Sequence, residues 1–489
     1  MSEIRLRYSG YVMFISNIIS IATGLMFTIM VTRNVSIEDF GILSNINDLI
    51  TYFGFLAGII PFWSKRFMAK GYESSAKTSL VINSIISIIV VSVYLGLTPA
   101  IMHMLGISKT YILPYLLISV LILENYIKTA IASILHLKKP QAIGYGLMIH
   151  EFIKIIAGCI FIMLLKMGVV GVIYSFIVAY FSQIVFYLTL TADEFKGRIK
   201  WDLAWQWFKG STLNLFNVAG NRLMSFPLIL LFVYGGEIAR AYYGAARTIA
   251  INITYSWYLA FAMYPKLLMG GKSEDVVTSL KMVLMFGIPM TIGAITLSDS
   301  LLIILKSDYV KAKLVLIPLS ICMLFRVLSW IFDRIVMGTE KLEDKAKLSF
   351  KKLIQSNTFA IFSLSYIQSA IAIPTTYFFL TSMSKTPLES AVYVSGILFV
   401  SYLLIVLIKY KIARKCFTFY FPWMNVIKYL VASVVMSFML MLIPHPKRLS
   451  RVIACILFGA TIYLMVLSLI DRETLKLIKL VIKEIKSRL

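Results

Sequence analysis

Eight basic residues fall inside long apolar runs of this chain, among them the arginines Arg222, Arg240, Arg247 and Arg326. The others are Lys128, Lys154, Arg334 and Lys428. A guanidinium cannot shed its proton to escape an apolar environment, and its planar fork of donors matches the oxygens of phosphate or carboxylate. A charge inside hydrocarbon costs roughly 2.5–3.5 kcal/mol on insertion scales, so each one needs a partner or a wet cavity. The carboxylates in the same runs are too few to pair all four arginines. Surplus guanidinium suits a phosphate-bearing or di-anionic ligand, held bidentately. Arg240 stands near the outer end of its run, where a rim charge is an equal reading.

Several polar side chains accompany these cations. Asn45, Asp48 and Thr51 share one face at helical spacing. Glu124 and Lys128 stand four residues apart, able either to neutralise each other or to serve as a relay. His150, Glu151 and Lys154 form a tighter cluster. Asn214, Asn217 and Asn221 line one stripe, and Arg240, Tyr243 and Arg247 another, continued by Thr254 and Tyr258. Amides and hydroxyls of this kind bond sugar hydroxyls. The candidate ligand contacts are therefore Arg222, Arg247, Arg326, Arg240, Lys154, Asn217, Asn221 and Tyr243. Asp333, Arg334 and Lys428 sit near helix ends, where snorkelling or capping explains them. Asn34-Val35-Ser36 matches a glycosylation acceptor in a very short loop, which reads as chance.

The elements that must position these groups are membrane helices. Of 489 residues, 59% are hydrophobic and 15% charged, with a mean hydropathy of +0.85. A soluble domain has about 45–50% apolar and about 25% charged residues, so a soluble enzyme is excluded. The apolar content fills about fourteen helices of roughly 20 residues, and fourteen segments are legible, starting from near residue 10 to near residue 449. Arg5 and Arg7 precede a run from Tyr11 to Val31 that reads as a retained first helix. The net charge is +25. With the N-terminus inside, thirty of the 48 Lys and Arg fall in inner loops and tails and ten in outer loops. That bias predicts a multi-pass cell-membrane protein with both termini cytoplasmic. No basic soluble module exists to bind nucleic acid. The four cysteines show neither a disulfide framework nor metal-ligand spacing, and no cofactor is implied. The longest polar connectors, about 191–210 and 339–357, are too short to fold a catalytic core, so the chain reads as no enzyme. The first carries Trp201, Trp205 and Trp207 among Lys196, Arg198 and Lys200, the composition of a helix lying at the membrane interface. Lys476, Lys479, Lys483 and Lys486 predict an amphipathic tail.

An internal echo organises the segments. Segment two opens on Glu38-Asp39-Phe40-Gly41 and ends at Pro61-Phe62-Trp63-Ser64-Lys65-Arg66. Segment eight, six segments later, opens near Glu237 and Tyr242-Tyr243-Gly244 and ends at Tyr264-Pro265-Lys266. An even separation keeps the orientation, which predicts an all-α protein of two six-helix lobes around a central cavity plus two C-terminal helices. The expected boundaries are 1–195, 196–410 and 411–489, the last holding helices thirteen and fourteen and the tail.

Thr32-Arg33-Asn34-Val35-Ser36-Ile37-Glu38-Asp39-Phe40-Gly41 resembles the N-terminal signature of the Wzx-type lipid-linked oligosaccharide flippases, polysaccharide-export proteins of the multidrug/oligosaccharidyl-lipid/polysaccharide exporter superfamily. The usual pattern has Leu-Gly where Val35-Ser36 stands. Tyr242-Tyr243-Gly244-Ala245-Ala246-Arg247 is similar to the start of that family's second half. The resemblance implies two lobes and alternating access. It implies translocation of a polyprenyl- or dolichyl-(pyro)phosphate-linked oligosaccharide across the cytoplasmic membrane, with Arg222, Arg247 and Arg326 as the cavity cations. It also implies coupling to H⁺ or Na⁺ through Asp48, Glu151 or Glu124. The expected partners are the lipid-linked substrate, membrane lipids and the coupling ion, with the protein acting as a monomer. The alternative is a cation-coupled drug or metabolite antiporter of the same superfamily, which would want cavity carboxylates to dominate.

Overall fold

Apolar runs out of reach of water must satisfy their backbone N–H and C=O groups internally, and here they do so as helices. The computed structural model describes residues 3–69, 71–72, 74–260, 263–268, 270–340, 355–444 and 446–471. Among the described residues there is no strand. The chain divides into two compact units, Met1–Ala241 and Tyr242–Leu489.

The first unit contains α1 (Glu3–Asn34), α2 (Ile37–Phe53), α3 (Ile59–Ala69), α4 (Ser75–Met104), α5 (Ile112–Lys138), α6 (Gln141–Gly158), α7 (Gly168–Thr191), α8 (Trp201–Gly210) and α9 (Thr212–Leu223). Helix α10 (Phe226–Ala250) runs from the first unit into the second. In the first unit α6 packs on both α1 and α7, and α5 packs on α4 and α7. The second unit continues with α11 (Met263–Leu268), α12 (Ser273–Thr296), α13 (Ser298–Leu305), α14 (Lys313–Thr339), α15 (Asn357–Ser382), α16 (Pro387–Cys416), α17 (Trp423–Met441) and α18 (Leu449–Ile470). There α16 packs on α14 and α15, and α17 on α12 and α18.

Twelve helical stretches among the described residues are long and apolar enough to cross a membrane, or thirteen if the pair Ile37–Phe53 and Phe55–Met68, bent by 44°, forms one span. One of the twelve, Leu215–Ala260, is 46 residues long. At about 1.5 Å per residue it is more than twice the roughly 30 Å hydrocarbon core. It breaks at Gly236, whose φ of 79° is open to glycine. Counting its two arms separately gives the fourteen spans that the sequence predicts.

The ends and breaks have local causes. Ser36 caps α2: its Oγ accepts from the Asp39 N–H at 3.0 Å, and the Asp39 carboxylate accepts from the Ser36 N–H at 3.4 Å. The Asn34-Val35-Ser36 tripeptide is thus helix punctuation, with Asn34 donating to the Met30 carbonyl at 2.8 Å. The sequence predicts segment two as one helix, whereas the chain breaks between α2 and α3 through a 3₁₀ turn, Phe55–Gly58. A break in a span frees backbone carbonyls, and buried side chains bond them. Tyr126 donates to Phe53 O at 2.9 Å and Asn83 to Ala57 O at 3.1 Å. Helix α8 buries Leu203, Ala204 and Trp207 against Ile60 and Ile82 and leaves Trp201, Trp205 and Phe208 exposed, as an interfacial helix would. The tail expected to be amphipathic, 472–489, lies outside the described residues.

Candidate functional site

The polar stripe on α2 is a connected network in the first unit. Asp48 is buried and accepts from Arg240 Nε at 3.0 Å and Nη2 at 2.8 Å. Arg240 also donates to Ser44 O at 3.3 Å. Arg240 is 1% exposed, so it is not a rim charge but half of a buried ion pair. One turn earlier, Asn45 Oδ1 accepts from Tyr115 Oη at 2.6 Å, and Tyr115 O accepts from Tyr94 Oη at 2.6 Å. One turn later, Tyr52 Oη donates to Arg222 O at 3.0 Å. Arg222 keeps a buried Nε with no hydrogen-bond partner in the protein. On α9, Asn221 donates to the backbone and side-chain oxygens of Asn217, at 3.0 and 3.1 Å. The side chain of Asn214 lies outside the described residues.

The cluster on α6 is equally knit. Glu151 Oε2 accepts from Lys154 Nζ at 2.8 Å and from Thr23 Oγ1 at 2.5 Å, and Oε1 accepts from Ser20 at 3.2 Å. Two of the three carboxylates expected to bind a coupling ion, Asp48 and Glu151, are therefore held by a cation of their own unit. Glu124 differs: it is 6% exposed, and its Oε2 has no hydrogen-bond partner. Lys128 is within electrostatic reach of Glu124, and its ammonium stands 4.1 Å above the Tyr180 ring.

A cavity of about 630 Å³ opens beside this cluster, inside the first unit. Lys65, Lys128, His136 and His150 line it together with Glu151, Tyr180 and Gln183. His150 is 5% exposed, packs on the Tyr180 ring at 4.4 Å, and has a buried Nδ1 with no partner in the protein. An unsatisfied buried polar group costs about 1–3 kcal/mol, so such a group calls for a ligand or a function. Lys65, His136, Tyr180 and Gln183 were not among the residues picked out from sequence. Each looks ordinary alone, and only the packing of α3, α5, α6 and α7 gathers them.

In the second unit, Arg326 lies 5.2 Å from the Trp330 ring, and the Tyr402 hydroxyl is within electrostatic reach of Arg326 and Arg247. Arg247 is half-buried and Tyr243 buried. The sequence assigns Asp333 to a helix end, but it pairs with Lys409 of α16 at 2.7 Å. Lys428 likewise meets a carboxylate, Asp471, at 3.2 Å.

No family model matches the sequence, and no curated protein matches it. Solved structures do share the fold. The lipid II flippase MurJ in an inward-closed conformation superposes with a TM-score of 0.72 at 18% identity, over 95% of this chain and 99% of MurJ. An inward-facing multidrug-resistance MATE transporter of the MOP superfamily gives 0.61 at 12% identity, over 81% and 95%. A MOP-superfamily transporter from Pyrococcus furiosus, described as having a binding pocket of reverse polarity, gives 0.52 at 14% identity, over 84% and 94%. The chain thus has the all-helical fold common to these multi-pass membrane proteins, which are transporters and flippases rather than enzymes.

Proposed function

We propose that this protein is a flippase that moves a polyprenyl- or dolichyl-(pyro)phosphate-linked oligosaccharide across the cell membrane by alternating access. The observation that carries the reading is full-length likeness to a flippase for a lipid-linked substrate, in a chain whose spans carry Arg222, Arg247 and Arg326. In this reading Arg222, Arg247 and Arg326 are the candidate phosphate contacts. Asn217, Asn221 and Tyr243 meet sugar hydroxyls. Arg240 and Lys154 act through the carboxylates they hold, and both termini are cytoplasmic.

The MATE likeness favours a second reading, a cation-coupled drug or metabolite antiporter. Cationic cargo needs available carboxylates, and Asp48 and Glu151 are each held at 2.8 Å by a cation of this chain. The flippase reading therefore stands first. Glu124, with an oxygen that bonds nothing in the protein, is the acid proposed to take up H⁺ or Na⁺.

The test is translocation of a lipid-linked oligosaccharide in proteoliposomes. Losing one charge-assisted bond to phosphate removes about 1.5–3 kcal/mol, so Arg247→Ala should slow transport roughly ten- to 150-fold at equal protein level. Full activity of Arg247→Ala would overturn the phosphate role. Drug efflux with no glycan trapped on the inner leaflet of a disrupted strain would favour the antiporter.

A further inference from the structure

The phosphate contacts proposed above are arginines, yet lysines and histidines also gather at the cavity among α3, α5, α6 and α7. We propose that this cavity is a binding site for a phosphorylated sugar, with Lys128 and Lys65 meeting the phosphoryl group and His150 Nδ1 bonding the ligand.

Charge argues for an anion. The lining carries two lysines against one carboxylate, and that carboxylate, Glu151, already accepts from Lys154, Thr23 and Ser20. Glu124, one turn back from Lys128, offsets part of the lysine charge. Lys65, Lys128 and Lys154 still outnumber the two acids by one.

Shape argues for a sugar. Amides and imidazoles hydrogen-bond sugar hydroxyls, and the Tyr180 ring braces two of the lining groups, with Lys128 Nζ at 4.1 Å and His150 at 4.4 Å. Gln183 is oriented by donating to Tyr187 Oη at 2.9 Å, which in turn donates to Ile143 O at 3.2 Å. Gly146 leaves room for that ring: a Cβ there would stand 2.1 Å from Tyr187 Cε1. A volume of about 630 Å³ lies in the range that takes small ligands. It suits a sugar phosphate and not a long glycan. The inference deepens the flippase reading and rests on it only for the sugar, since the positive lining stands independently.

The ligand's phosphate has two sources, the head group of a membrane lipid or a soluble sugar phosphate. The full-length protein in nanodiscs is titrated with glucose 1-phosphate, with glucose, and with dolichyl phosphoglucose as competitor. Glucose 1-phosphate should raise the thermal unfolding midpoint while glucose does not, and Lys128→Met and His150→Phe should each weaken binding at least tenfold. Lys65→Met gives the same reading should the other two fail to fold. Competition by dolichyl phosphoglucose identifies the lipid head group, and its absence identifies the soluble sugar phosphate. Binding unchanged in Lys128→Met and Lys65→Met, or no shift with either phosphate, overturns the site. Arg247→Ala should bind glucose 1-phosphate normally. Binding without any lipid-linked transport would then sink the flippase reading and leave the cavity assignment intact.

Discussion

The pair between Asp48 and Arg240 gives the sharpest test of the first unit. Its side chains are 6% and 2% exposed, and two nitrogens of the guanidinium share one carboxylate oxygen at 2.8 and 3.0 Å. Removing one partner of such a pair leaves an uncompensated buried charge and costs about 3–5 kcal/mol. Asp48→Asn keeps an acceptor oxygen and should fall at the lower end, with Asp48→Leu at the upper end. A unit of this size loses about 2–4 °C per kcal/mol, so the unfolding midpoint should drop by about 6–20 °C. The double variant Asp48→Leu with Arg240→Met removes both charges at similar volume and should recover most of that loss. The assay is thermal unfolding in detergent micelles followed by tryptophan fluorescence, with the four proteins of the double-mutant cycle compared at equal concentration. A midpoint for Asp48→Leu within about 2 °C of the parent, or a double variant as unstable as the sum of the singles, would refute the buried-pair argument.

Two further variants probe different features. Gly41→Ala would place a Cβ 2.0 Å from the Glu237 carbonyl oxygen, a backbone atom that cannot swing away. Overpacking of this kind costs about 1–3 kcal/mol, and the unfolding midpoint should fall by about 2–12 °C. Glu124→Gln removes a buried acid whose Oε2 bonds nothing in the protein. Its unfolding midpoint should be unchanged or raised, while transport in proteoliposomes should lose its response to an imposed proton or sodium gradient.

The spans were legible because hydrocarbon demands an uninterrupted apolar run, and little else produces one. The starts expected near residues 168, 313 and 449 fall at Gly168, Lys313 and Leu449. The break after Phe53 was not legible, because Tyr126 and Asn83, which bond the freed carbonyls, come from other helices. Charge clusters within one helix turn could be read, as the contact of Glu151 with Lys154 illustrates. Pairs between helices could not. Asp48 looked like part of an asparagine stripe and Arg240 like a rim charge until α2 and α10 met, and Asp333 looked like a cap until Lys409 reached it. The cavity was the least legible feature, since four helices each contribute only one to a few ordinary polar residues to it.

The pairing of Asp48 with Arg240 also sets a schedule for making the protein. The two residues are 192 positions apart, and ribosomes add about 5–20 residues per second, so the acid emerges some 10–40 s before its guanidinium exists. In that interval the α2 carboxylate has no guanidinium to pair with. Completion of the first unit is then a late event in biogenesis, sealed by nearly the last helix that belongs to it.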